Sequence, residues 1–192
     1  MRRTALVLGF AVALFSAAAG AADAGKYSDT ISLFKNAGES RTFFQNSYGY
    51  AVFPNIGEGG LIVGGAFGKG RVYVNGQVVG DTTMKQLSVG FQVGGQDYSQ
   101  IIFFQDKRAL DQFESGKFEF SAGAKAIAIT AAANASAGTN GVTSGASGGK
   151  RDAATEGNYN DGMAVFTIAK GGLMYAAALA GQKFTYKARG TD

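Results

Sequence analysis

The sequence predicts a mainly β protein of the β-rich α+β class: an antiparallel barrel- or sandwich-like sheet with a short N-terminal helical segment and one small helix near 107–115. Three observations predict it. From Tyr48 onward apolar residues recur every second position, as Leu87, Val89, Phe91 and Val93 do against Ser88, Gly90, Gln92 and Gly94. That period puts alternate side chains on opposite faces of a pleated strand. About eight such short runs follow one another, separated by turn residues. Helical periodicity is confined to 26–47 and 107–115.

The elements follow in order. Over 26–47, Ser28 or Asp29 can cap a helix whose Tyr27, Ile31 and Phe34 share one face at i, i+4 and i+7. Gly38 ends that set, and Ser40 opens a second short stretch holding Phe43 and Phe44. Tyr50-Ala51-Val52-Phe53 reads as a strand that Pro54 ends or places at an edge, because proline has no N–H for the ladder. Residues 61–67 read as a glycine-interrupted strand, and the glycines at 64, 65, 68 and 70 as signs of close backbone approach in a curved sheet. Asn75-Gly76, between the β-like runs 71–74 and 77–79, is the strongest hairpin signal in the chain, since both positions tolerate positive φ. Ile101-Ile102-Phe103-Phe104 is apolar on both faces and reads as a central strand. Asp106 caps the small helix, Ala109, Leu110 and Phe113 share its inner face, and Gly116 stops it.

Phe118, Phe120 and Ala122 open a strand that continues through Ile127 and Ile129, with a bulge or bend at 123–125 where the bulky positions change parity. Residues 163–169, 173–180 and 184–187 complete the set. Between 131 and 149 every residue except Val142 is Ala, Gly, Ser, Thr or Asn. Such a segment buries too little to offset about 1–2 kcal/mol of ordering entropy per residue, so 134–160 reads as a flexible loop.

The first segment reads as an address. Arg2 and Arg3 precede an uncharged apolar run over 5–15, followed by the small residues of 16–24, the order of a cleavable signal peptide. The expected organisation is a signal peptide over 1–21, with cleavage as late as 24, and a single domain over 25–192. The run falls short of the roughly 20 apolar residues that cross a bilayer, and the expected product is periplasmic or secreted.

Composition excludes much chemistry. The 192 residues include no His and no Cys, which removes Ser-His-Asp and Cys-His nucleophiles and the usual zinc, copper, haem and iron–sulfur ligands. The fourteen acids are scattered, so carboxylate catalysis and a calcium site at Asp152, Glu156 and Asp161 are both disfavoured. No catalytic residue, metal or cofactor is expected. Removing Arg2 and Arg3 leaves 16 basic against 14 acidic side chains, a net of +2 (16 − 14), too small and too dispersed for nucleic acid.

Five blocks are recognisable in their order. They are Tyr48-Gly49-Tyr50-Ala51-Val52-Phe53-Pro54, Gly64-Gly65-Ala66-Phe67-Gly68-Lys69-Gly70, Ser88-Val89-Gly90-Phe91-Gln92-Val93-Gly94-Gly95, Phe118-Glu119-Phe120-Ser121-Ala122-Gly123 and Gly171-Gly172-Leu173-Met174-Tyr175-Ala176 with Gly181. Together they resemble the SYLF-domain family over about 26–188. The resemblance implies a non-catalytic, lipid-binding, β-rich domain whose basic N-terminal segment meets the membrane. Actin, a partner of fungal and animal members, is not expected for an exported chain.

The expected function is therefore association with anionic phospholipid, peripheral to a membrane. Lys26, Lys35, Arg41, Lys69 and Arg71 are the expected lipid-binding residues, and Tyr27, Ile31 and Phe34 the expected apolar membrane contacts. The alternative is a structural or protein-interaction component of the cell envelope with a protein partner and no lipid ligand. An integral outer-membrane barrel is disfavoured, because Lys187-Ala188-Arg189-Gly190-Thr191-Asp192 is no terminal aromatic strand.

Overall fold

The computed structural model describes residues 9–59, 64–88, 97–120, 126–129, 159–170, 179 and 181–190. Its elements are α1 (Gly9–Asn36), α2 (Gly38–Arg41), α3 (Phe43–Asn46), β1 (Gly49–Gly59), β2 (Gly64–Val74), β3 (Gln77–Ser88), β4 (Asp97–Phe104), α4 (Lys107–Glu114), β5 (Ile127–Ile129), β6 (Met163–Lys170) and β7 (Gln182–Ala188). Asn75 and Gly76 turn β2 into β3 with φ of 51° and 77°, both positive, as the expected hairpin requires. Asp106 caps α4 as expected, its Oδ1 accepting from the Ala109 N–H at 2.9 Å, and Gly116 follows with φ +67°.

The strands form one sheet in the order β5-β6-β4-β1-β2-β3-β7. All neighbours are antiparallel except β5, which runs parallel to β6. The β-rich α+β class holds. Among the described strands the sheet curls without closing, with β5 and β7 at its ends. Gln100 of β4 and Gln182 of β7 exchange amide hydrogen bonds at 3.0 and 3.2 Å although β1, β2 and β3 lie between them in the sheet. Phe53 of β1 meets Phe184 of β7 at 5.9 Å. Such curvature needs small residues on the inner face. A Cβ at Gly68 would stand 2.6 Å from Ile56 Cγ1, and one at Gly70 2.6 Å from the Phe53 ring.

β4 is central, as its two apolar faces predict. Ile102 and Phe104 join the inner core with Phe53, Ile56, Met84 and Phe184, closed over by Leu110 and Phe113 of α4. Ile101 and Phe103 face outward, where Tyr27, Phe34 and Phe43 of the N-terminal helices cover them.

Four features depart from expectation. Pro54 neither ends β1 nor sits at an edge; β1 pairs with both β2 and β4, and the register shifts at Val52/Asn55 and Phe53/Ile56 let the missing N–H fall inside a bulge. The N-terminal helix is 28 residues long rather than short, because the alanine-rich stretch before Gly25 favours helix and contains no proline. Residues 118–120 form no strand: their backbone pairs with the sheet through the isolated bridge Glu119↔Lys183, while Phe118 and Phe120 pack into the inner core. Ala37, not Gly38, breaks the first helix, and Gly38 opens α2.

Several expectations lie wholly or partly outside the described residues: the start of the glycine-interrupted strand at 61–63, the alternating run beyond Ser88, the bend at 123–125, the strand over 173–180 except Leu179, and the loop over 134–160 except Tyr159 and Asn160. Tyr159 packs edge-on against Phe43 at 5.4 Å.

Candidate functional site

The N-terminal helices are seated on the outer face of the sheet. Tyr27 and Phe34, one helical face, are 6% and 0% exposed, and Ile31 between them is half-buried. The stripe expected to meet a membrane is thus turned against Val52, Tyr73 and Ile101. Its helical spacing was right, but the sheet is the surface it covers. Among the residues of α1 whose burial is described, the large apolar one exposed is Leu33, seven positions from Lys26 and so on the same side of the helix.

Arg71 fixes this seat. Its guanidinium lies 4.1 Å from the Tyr27 ring centroid and contacts Asp23 at 2.5 Å and Asp81 at 3.8 Å. Arg189 in turn holds Asp81 through two bonds of 2.7 Å, which keeps the Asp81 carboxyl below its ordinary value. Arg71 is therefore neutralised and largely shielded, a clasp between α1 and the sheet.

Burial pushes the Tyr27 phenol from an ordinary 10.0 to about 12, with Arg71 pulling the other way. A raised folded value gives stability that is complete below the unfolded value and lost as the pH climbs to the folded one. The melting temperature should accordingly fall from pH 10 to 12. Tyr27→Phe should flatten part of that fall; an unchanged slope assigns it elsewhere. Some slope remains in either case, because Tyr186 is also pushed up to about 12.

The other expected cations are exposed. Lys35 lies 5.5 Å from the Phe44 ring centroid, and Arg41 Nε donates to the Lys35 carbonyl at 3.2 Å. Among the described residues Lys26, Lys35, Arg41 and Lys69 meet no carboxylate. Lys26, Lys35 and Arg41 belong to the helices. Lys69 belongs instead to the sheet, beyond the part that they cover.

There the ladder aligns residues far apart in sequence. Lys170, Asp97, Gly57, Phe67, Lys85 and Lys183 stand opposite one another across β6, β4, β1, β2, β3 and β7. Phe67 is 46% exposed, and Lys69, Lys85 and Lys183 are exposed beside it. Lys170 donates to Asn55 at 2.8 Å, and Lys183 lies 3.9 Å from Glu119. Phe67, Lys85, Lys170 and Lys183 were not singled out from the sequence. Their strand-like parity was visible, but their mutual register was not. Among the described residues no group of three or more acidic side chains could hold a metal ion.

Among the described residues, the outer face of the curled sheet is partly covered by helices and partly exposed and basic. Residues 85–189, more than half of the chain, match the family described as Las17-binding protein actin regulator. The chain belongs to that family, the SYLF-domain family that its sequence blocks resemble. It is also similar to Beta cell expansion factor A of Aeromonas veronii, 30% identical over 156 residues, which are 80% of this chain and 51% of that protein. The chain thus spans about half the length of that relative.

Proposed function

We propose that the protein is an exported, non-catalytic domain that associates with anionic phospholipid surfaces. The observation that carries this reading is that the exposed cations Lys26, Lys35, Arg41 and Lys69 have no carboxylate partner among the described residues. A cation already paired gains little from a phosphate, whereas an unpaired one near a charged membrane contributes about 1 kcal/mol. Family membership supports a domain that meets lipid or protein. The actin-regulator description belongs to the family, and an exported chain in this reading meets lipid instead. The signal-like order of the first 24 residues supports export.

The N-terminal contribution is electrostatic, since its apolar stripe is spent on the sheet and, among the described residues of the helices, Leu33 is the large apolar one offered outward. Co-sedimentation with phosphatidylglycerol vesicles should therefore fall steeply with added salt and be negligible with phosphatidylcholine alone. Lys26→Glu/Lys35→Glu/Arg41→Glu should weaken it at least a hundredfold, at about fivefold or more per reversed charge. Salt-independent binding, or binding indifferent to the triple reversal, would contradict this role of the helices. A single protein partner retained with no lipid would favour the envelope-interaction alternative.

A further inference from the structure

We infer that the exposed outer face of the sheet around Phe67 is a second membrane-docking surface, with Phe67 as the side chain that enters the bilayer and Lys69, Lys85 and Lys183 as the cations that flank it. This rests on the lipid-binding reading and adds where, and in what orientation, the domain meets the bilayer. A singly exposed aromatic is ordinary. This one differs in its surroundings. Its cross-strand neighbour on β1 is Gly57 and its same-face neighbour along β2 is Gly65, neither with a side chain. Phe67 consequently has no side chain beside it at Gly65, while over Gly57 the nearest group is the Asp97 carboxylate, 3.2 Å from where a Cβ would stand. On the other two sides are Lys85, opposite on β3, and Lys69, two residues on. Neither meets a carboxylate among the described residues.

Lys183 extends the row onto β7 directly opposite Lys85. Adjacent like charges across a ladder are unfavourable without an anion to share, and the distant Glu119 carboxylate, 3.9 Å from Lys183 and itself exposed, offsets this only weakly. Asp97, two strands from Phe67 in this row, stands opposite Lys170, which ends the row.

The shape selects the occupant. Donors that bind a small phosphate converge on one point, but these lysines are spread along a row, and the nearby Thr83 and Thr185 hydroxyls are engaged with each other. A flat surface with flexible ammonium groups around a projecting ring matches a head-group layer. The ammonium groups stay at phosphate level while the ring reaches the acyl boundary.

The chain has no tryptophan, so Phe67→Trp places a sole indole reporter at the point in question. With phosphatidylglycerol vesicles its emission should shift to the blue and be quenched by lipids brominated on their acyl chains, and with phosphatidylcholine alone it should do neither. Lys85→Gln/Lys183→Gln should lower partitioning about thirtyfold, at about fivefold per lysine. Circular dichroism of both variants confirms the fold. Wild-type protein that sediments with phosphatidylglycerol, together with an unshifted indole and undiminished binding of the double variant, overturns the docking face while leaving the lipid reading intact. Wild-type protein that stays in the supernatant overturns the lipid reading and this surface with it.

Discussion

Phe103→Ala is expected to lower the free energy of unfolding by about 3–5 kcal/mol, the range for truncating a buried aromatic. Phe103 is 0% exposed on the central strand. Its ring contacts Phe43 at 5.4 Å, Phe44 at 4.8 Å, Tyr50 at 6.0 Å and Phe166 at 5.9 Å. These partners come from α3, β1 and β6, so the cavity left behind is walled by separate elements that cannot all collapse into it. The loss is large against the roughly 5–15 kcal/mol of a typical domain. Urea unfolding followed by far-ultraviolet circular dichroism measures it as a shift of midpoint at constant slope. A loss under about 1 kcal/mol would show that the N-terminal helices are not seated as described. Because Phe43 and Phe44 hold the segment that carries Lys35 and Arg41, the same variant should increase hydrogen exchange in α3 before β4.

Gly70→Val is expected to cost about 1–3 kcal/mol or more through overpacking. A Cβ there would lie 2.6 and 2.7 Å from two carbons of the Phe53 ring and 2.9 Å from Thr82 Cγ2. Phe53 is buried against Phe184 and cannot swing away without opening the inner core. Gly38→Ala is the matched control. Its Cβ meets nothing within 4 Å, and alanine at a helical position should be neutral or stabilising by up to about 1 kcal/mol. Thermal or urea unfolding of the pair separates inner-face glycines from those of helix ends. Equal effects would mean that the sheet curls without needing a bare backbone at Gly70.

Much of the fold was legible because it is written locally. Asn75-Gly76, the Asp106 cap and the double-sided apolar run of β4 each depend on a few adjacent residues, and each was placed where it occurs. Pro54 was misplaced for the complementary reason. A bulge needs the partner strands to define it, and nothing near Pro54 in sequence announces them. The site was less legible still. Tyr27, Ile31 and Phe34 carry the same spacing whether they cover a sheet or a membrane, and only the seat on Val52, Tyr73 and Ile101 distinguishes the two. The Phe67–Lys85 pair was hidden by one residue. The irregularity between Val72 and Tyr73 sets Val72 opposite Gly80, so a simple count from the hairpin would set Met84 rather than Lys85 opposite Phe67.

By itself the sequence determined the β-rich α+β class, the hairpin and capped helix, the family, and the absence of imidazole and thiol chemistry. These follow from side-chain period, turn residues and composition, which need no knowledge of distant contacts. The tertiary structure alone decided that Arg71 clasps α1, that the N-terminal stripe faces inward, and that lysines from β3 and β7 gather beside Phe67. The reason is pairing across the ladder: Lys85 and Lys183 are 98 residues apart (183 − 85) and adjacent only because β7 returns to the edge of β3.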